Sequence, residues 1–307
     1  MVGGPPAGAC ARRTLDLHAQ LDLRLTLGPH RRGRGDPTMR IDGRDAWRAT
    51  RTPEGPAAVH VRVGCGRVEA RASGPGRRHV LDSLPALLGL DDDPRALAPR
   101  HALVRDLGAR LRGLRIGRTG AVLEALVPAV LEQRVTGAEA WASFRALVRG
   151  LGEPAPGPWG LWLQPAAGAL AASPYHALHR FGIERNRAET IVRVARDAER
   201  VERAVSLPPD EAAASWTRHR GVGPWTAAEV AARALGDPDA VSTGDFHLPH
   251  LVTWALAREP RGDDARMLEL LEPYRGQRGR VVRLLEAGAR RPPRRGPRMA
   301  PRRIAAL

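Results

Sequence analysis

The sequence predicts an α+β protein: a small N-terminal antiparallel β-sheet domain over residues 1–92, an all-helical domain over 93–289, and a basic disordered tail over 290–307. Three observations carry that reading. Leucine and alanine alternate with polar residues from Thr14 to Leu27. Apolar residues recur at helical spacing, between glycine and proline breaks, from Pro94 to about Ala289. Seven arginines and no acid lie among the prolines of Arg290 to Arg303. Period two marks a strand with one wet face, spacing near 3.6 marks a helix, and an unbalanced charge run packs into neither.

Taken in order, residues 1–13 read as a loose leader, and Thr14 to Leu27 as a strand with Leu15, Leu17, Ala19, Leu21, Leu23, Leu25 and Leu27 on one face. Gly28 to Pro37 is a turn-rich break. Trp47 to Thr50 and Ala58 to Val63 are short strand candidates. The second turns at Gly64-Cys65-Gly66 into Arg67 to Ala72 as a hairpin. Val80 to Leu90 reads as one short amphipathic helix. Further on, helical spacing is clearest at Val122, Leu123, Leu126, Val127, Val130 and Leu131, and again at Ile191, Val192, Ala195 and Ala198. Pro128 should kink the first of these helices or mark its boundary. Gly152 to Trp162 is a proline-rich connector.

Charge narrows the function classes. The 307 residues carry a formal net charge of +16, and all 49 cationic side chains are arginine. Such an excess points to a polyanion partner. Without a lysine, no Schiff-base or P-loop lysine mechanism is available. Two cysteines, Cys10 and Cys65, exclude a four-cysteine metal or iron–sulfur site and a disulfide framework. The ten histidines show no metal-ligand spacing with the cysteines, and His247 and His250 read as packing or solvent-facing. No apolar run approaches the roughly 20 residues of a membrane span, and no secretory signal pattern is present. The expectation is a soluble, cytoplasmic monomer with no membrane partner, no cofactor and no metal held by side chains.

The stretch from Asp210 to His250 carries the most information. Asp210 to His219 can form a helix, Gly221-Val222-Gly223 a tight turn, and Pro224 the first position of a second helix running to about Leu235. Glycines let the backbone approach a phosphate closely, and the free N–H groups of the new helix point at it. Contacts of that kind position a protein on a duplex without reading its sequence. An ordinary αα-turn with a glycine cap accounts for the same residues. The second helix is about 16 Å long, and the polar loop Gly236 to Gly244 reaches roughly 28 Å when extended. The chain can therefore fold back and bring Asp245 beside the hairpin. Alternatively, Asp245 simply caps the helix that follows.

The string RGVGPWTAAEVAARALGDPDAVSTGDFHL, Arg220 to Leu248, resembles the hairpin and catalytic-aspartate signature of the helix-hairpin-helix DNA glycosylase superfamily, most closely its 3-methyladenine DNA glycosylase II branch. That branch has a Gly-x-Gly-x-Trp-Thr-Ala hairpin with its aspartate twenty residues after the tryptophan, the separation of Trp225 and Asp245 here. Leu123 to Ala138 resembles the helix and turn that carry the base-stack wedge. Phe181 to Ala195 resembles the family's Gly-x-x-x-x-(Arg/Lys)-Ala helix, and Glu272 to Leu285 its closing helix. A small sheet domain before the helices also fits, so the resemblance spans roughly residues 14 to 290.

The resemblance implies a monofunctional glycosylase acting in base excision repair on double-stranded DNA that contains a damaged base. It would flip out alkylated bases of the 3-methyladenine and 7-methylguanine type and hydrolyse the N-glycosidic bond. Asp245 would be catalytic, with Trp225 and Glu229 in the base pocket. Gly221, Val222, Gly223 and Thr226 would hold DNA together with Gln133 and Arg134, the latter standing where relatives often have an apolar wedge. Main-chain carbonyls of Thr217, His219 and Val222 would offer a monovalent-cation site. Strand-cleaving relatives carry a lysine two residues after the second glycine, and Trp225 occupies that position. Two other readings stay open: a non-catalytic DNA-binding protein on the same scaffold, and a glycosylase for oxidised or deaminated bases.

Overall fold

Residues 10–293 are described in a computed structural model of the chain; the expected leader up to residue 9 and the tail from residue 294 lie outside them. Five antiparallel strands, β1 (Ala11–Asp16), β2 (Met39–Asp42), β3 (Asp45–Thr52), β4 (Gly55–Val63) and β5 (Arg67–Ser73), pair in the order β1-β5-β4-β3-β2. Alternation decides the faces. In β5 the residues run exposed and buried in turn, with Val68, Ala70 and Ala72 inward. These side chains meet Leu81, Leu84 and Leu88 from α2 (Arg77–Asp82), α3 (Leu84–Leu87) and the residue just past it.

Three expectations are corrected in this region. The leader does not run to residue 13, because β1 starts at Ala11. The strand expected to reach Leu27 ends at Asp16. Its one neighbour is β5, whose register is used up between Ala11↔Ala72 and Asp16↔Arg67, and Leu17 N–H closes on Gly66 O where the partner chain turns. Beyond it Leu23 and Leu27, four residues apart, serve a helix equally well. Asp22 caps that helix, α1 (Leu23–Leu27), by accepting from Arg24 N and Leu25 N. The single helix over 80–90 is two, parted at Ser83, where Pro85 suits the first turn of a new helix. Strand β2 was not anticipated; four residues are too few to display a period.

From α4 (Ala102–Arg110) onward the chain is mainly helical: α5 (Val122–Leu131), α6 (Gly137–Leu151), α7 (Ala167–Ala172), α8 (Arg185–Arg196), α9 (Ala198–Arg203), α10 (Pro209–Thr217), α11 (Pro224–Val230), α12 (Leu248–Ala257), α13 (Asp264–Leu271) and α14 (Arg278–Gly288). The α+β expectation holds. The connector over 152–162 forms a small pairing, β6 (Glu153–Pro154) with β7 (Trp162–Leu163), and Leu161 and Leu163 pack on Ala49 and Ala58 of the large sheet.

Helix α5 is the pillar of the helical core. All its residues but Glu124 are buried. Full burial of a Leu or Val side chain is worth about 1.5–3 kcal/mol. Its first amides, Val122 N and Leu123 N, donate to the Glu202 carboxylate at 2.9 and 2.8 Å. Burial nevertheless pushes that carboxyl above its ordinary range. At the other end Arg187 donates to Leu131 O at 2.8 Å.

Pro128 lies inside this helix, so of the two expectations for it the boundary is not the one met. A proline at that position cannot donate to the carbonyl four residues back, Glu124 O. The Gln164 side-chain amide donates to that carbonyl instead, at 3.0 Å. A side chain from just past the connector thus replaces the missing rung. Replacing Gln164 with Leu should lower the unfolding free energy by about 1–3 kcal/mol, the range for stranding a buried acceptor. Equilibrium urea unfolding measures this, and an unchanged midpoint would show that Gln164 does not fill that role.

Candidate active site

The hairpin begins where α10 ends and α11 starts at Pro224. Gly221 has φ +95, a conformation open to glycine, and a Cβ there would overlap the Thr190 side chain of α8. Arg193, one turn along α8, donates to Arg220 O at 2.7 Å. Gln133 Nε2 donates to Gly221 O at 2.9 Å and to Thr226 Oγ1 at 2.8 Å. The turn is thus clamped from α8 on one side and from the turn after α5 on the other. Gly223 is extended, at φ −97 and ψ −179, and nothing lies within 4 Å of the Cβ it lacks.

Val222 and Thr226 turn their side chains inward, 4% and 2% exposed. What the hairpin presents is therefore backbone. Val222 N–H is used on His219 O at 2.9 Å. Among the described residues, the amides of Gly221 and Gly223 have no acceptor. The same bond occupies one lone pair of His219 O and leaves the other. Neutral carbonyl oxygens such as those of Thr217, His219 and Val222 suit a hard monovalent cation, and the set fits that chemistry. Among the described residues, no group of three or more His, Cys, Asp or Glu side chains stands ready to hold a metal.

Helix α11 continues through a π-helical turn at Ala231–Leu235 and stops at Gly236, φ +66. The polar loop then returns, as chain length allowed. Trp225 Nε1 donates to Asp245 Oδ2 at 3.1 Å. Both readings of Asp245 hold at once. Its other oxygen accepts from His247 N at 2.7 Å and Leu248 N at 2.8 Å, capping α12. Two backbone amides and one indole thus fix the carboxylate from different directions. Trp225 is half-buried against the helical core.

Glu229 sits differently from a free pocket acid. Its Oε2 accepts from Arg233 and its Oε1 from Ser242, both at 2.5 Å. Burial would raise its carboxyl, but Arg233, the Ser242 hydroxyl and Arg32 outweigh that and hold it below the ordinary range. Arg134 is exposed directly after Gln133 and has φ +55, an uncommon conformation for a non-glycine residue. The next helix, α6, opens with a reciprocal Thr136–Glu139 capping box, so this strained turn is bracketed by two fixed helices. Phe246, which sequence reasoning did not single out, stands 78% exposed directly after the carboxylate. Its ring lies edge-on to His247 and His250.

With this geometry in hand, the chain can be compared with known proteins. No family model matches it. Two curated relatives, each described as a probable bifunctional transcriptional activator/DNA repair enzyme AlkA and coming from two strains of Mycobacterium tuberculosis, are 34% identical over 175 residues. The match covers 53% of this chain and 34% of theirs, so the chain spans about a third of the length of the curated relatives it matches. Among solved structures, a 3-methyladenine DNA glycosylase from Archaeoglobus fulgidus superposes with a TM-score of 0.75 at 20% identity, over 89% of this chain and 97% of that one. An 8-oxoguanine glycosylase/lyase from Clostridium acetobutylicum, in complex with DNA, gives 0.69 at 14% identity, over 89% and 96%. The resemblance read in the sequence holds in three dimensions: the chain has the helix-hairpin-helix DNA glycosylase fold.

The two glycines separate folding from binding. Gly221→Ala should lower the melting temperature, because the new Cβ meets Thr190 and φ is positive. Gly223→Ala should melt close to the parent, since the backbone there is extended with room for a Cβ, and the lower freedom of the unfolded chain offsets the weaker N-cap. It should nonetheless weaken duplex binding by about tenfold, equivalent to one or two hydrogen bonds. Thermal unfolding and a fluorescence-anisotropy titration read the two effects. Unchanged affinity for Gly223→Ala would mean that phosphate does not approach there.

Proposed function

We propose that the chain is a monofunctional DNA glycosylase that releases alkylated bases from duplex DNA by hydrolysing the N-glycosidic bond. The observation that carries this is the Trp225–Asp245 contact beside a hairpin with unsatisfied amides, in a chain with no lysine. The match to two relatives described as DNA repair enzymes, and the fold shared with a 3-methyladenine DNA glycosylase, support this reading.

A base alkylated at a ring nitrogen is already cationic and departs without a proton donor. One carboxylate then suffices where ordinary glycosidases use two. Asp245, held by three donors, would face the oxocarbenium-like sugar and orient the attacking water. Trp225 would offer its ring face to the cationic base while its N–H stays on the carboxylate. Flipping a nucleotide costs a few kcal/mol, least at a damaged pair. Arg134, projecting from its strained turn, is the side chain proposed to fill the gap. The free amides at Gly221 and Gly223 would take phosphate, and the carbonyls of Thr217, His219 and Val222 a monovalent cation. Two free, exposed thiols, Cys10 and Cys65, suit a reducing cytoplasm, the compartment we assign. Among the described residues, no helix is long and apolar enough to cross a membrane.

Asp245→Asn should slow base release by about a hundredfold or more, the scale for removing one preorganised charge. Duplex affinity should stay within a few-fold, because the loss falls on the transition state. Single-turnover release from alkylated, oxidised and uracil-containing duplexes measures it. Near-parental turnover by the Asn variant would sink the mechanism, and release confined to the other two duplexes would sink the substrate class.

Product DNA should keep an intact backbone at the abasic site, because no lysine is present to form an imine. A borohydride-trapped adduct mapping within the chain would contradict this.

A further inference from the structure

We infer that Ser242 and Glu229 are positioning residues for Asp245: the half-buried Glu229 carboxylate on α11 grips the Ser242 hydroxyl and sets the aspartate loop against the helix that carries Trp225. This rests on the reading of Asp245 given above, and no side chain of the pair is assigned to touch substrate.

The loop over 236–244 is polar, and a surface loop of its length is ordinarily among the more mobile parts of a protein. Asp237 N donates to Ala231 O at 3.2 Å where the loop leaves the hairpin helix, and beyond that point four anchors among the described residues hold it. Pro238 O accepts from Arg280 N at 2.9 Å, and Asp239 is paired with Arg278 at 2.5 Å; both ties lead to α14. Gly244 N donates to Asp264 Oδ2 of α13 at 2.7 Å. Ser242 Oγ, 2.5 Å from Glu229 Oε1, gives the loop a side-chain hydrogen bond to α11. The first three fix the loop to the closing helices. The fourth fixes its distance from Trp225, four residues before Glu229 on the same helix.

Glu229 is itself held. Arg233 pairs with it from one turn on and donates through Nε to Pro29 O at 3.1 Å. Behind stands a second pair, Arg32–Glu132 at 2.9 Å, whose charges act on Glu229 and Arg233. Glu132 immediately precedes Gln133, which clamps the hairpin, and Arg134. One charge-balanced cluster therefore touches the hairpin helix, the aspartate loop and the turn carrying Arg134. A charged acceptor also makes the Ser242 bond stronger than a neutral one would. Because both its oxygens are engaged in this way, Glu229 is withdrawn from the base-pocket role that its sequence position suggested.

Ser242→Ala removes the hydroxyl and leaves both ion pairs in place. The expected result is a fall in kcat of about tenfold or more with KM for the damaged duplex within twofold, beside a melting temperature lowered by no more than a few degrees, the scale of one lost hydrogen bond. Ser242→Thr should restore kcat. An unaltered kcat, or a loss that Thr does not rescue, would overturn the inference. A second readout needs no turnover. The Trp225 indole N–H resonance, identified by its loss in Trp225→Phe, reports the bond to Asp245; it should shift in Ser242→Ala and return in Ser242→Thr. An unmoved resonance overturns the positioning role whether or not the parent releases a base. A moved resonance in a parent that releases none upholds the positioning of Asp245 and sinks the glycosylase reading alone.

Discussion

Twenty residues of chain are closed by one side-chain hydrogen bond, from the Trp225 indole to Asp245, and much of the helical half is arranged around that closure. Helix α11 must stop soon after Trp225, and a π-helical turn with Gly236 in the left-handed region lets it do so. The returning loop must be fixed at depth, and α13 and α14 supply the side chains that fix it. Helix α12 must start at the right height, and the same carboxylate caps it. A group that is at once the cap of one helix and the neighbour of another cannot drift without disturbing both.

The second theme is where the arginines are spent. The chain carries a large cationic excess, yet the interior beneath the site is close to neutral. Arg32 faces Glu132, Arg233 faces Glu229, and Arg48 faces Glu124. Buried pairs of this kind add little net stability over apolar replacements, because desolvation offsets most of the attraction. They do demand one arrangement, since a guanidinium presents its donors in a rigid fork. Other arginines among the described residues, Arg134 and Arg220 among them, stay exposed.

The sequence made the general architecture and the heart of the site legible for physical reasons. Glycines at 221 and 223 with a proline after them mark a helix start, and chain length alone allowed Asp245 to reach the hairpin. Helix α8 was legible by its period because it buries one face, and α5 by its apolar run because it is buried on nearly every side. What stayed hidden depends on partners distant in sequence. The end of β1 is set by where β5 turns, which no local pattern displays. The fate of Glu229 hinges on Ser242, Arg32 and Arg233, two of which lie outside its own helix. Phe246 follows an acid in a polar loop, and no periodicity singles it out. Pro128 was legible as a disruption, but its remedy, Gln164, lies just past the proline-rich connector, where no pattern points to it.

That remedy gives the pair a direction in time. If Gln164 changes while Pro128 is present, the carbonyl of Glu124 is stripped of its donor inside a packed helix. If Pro128 changes first, an ordinary residue donates its own amide there, and the half-exposed Gln164 side chain can turn to water. Proline could likewise enter only after a donor stood ready at 164. Descent through these two positions therefore has an easy order and a costly one. A lineage holding Pro128 keeps the glutamine at 164 for the sake of a helix some forty residues away.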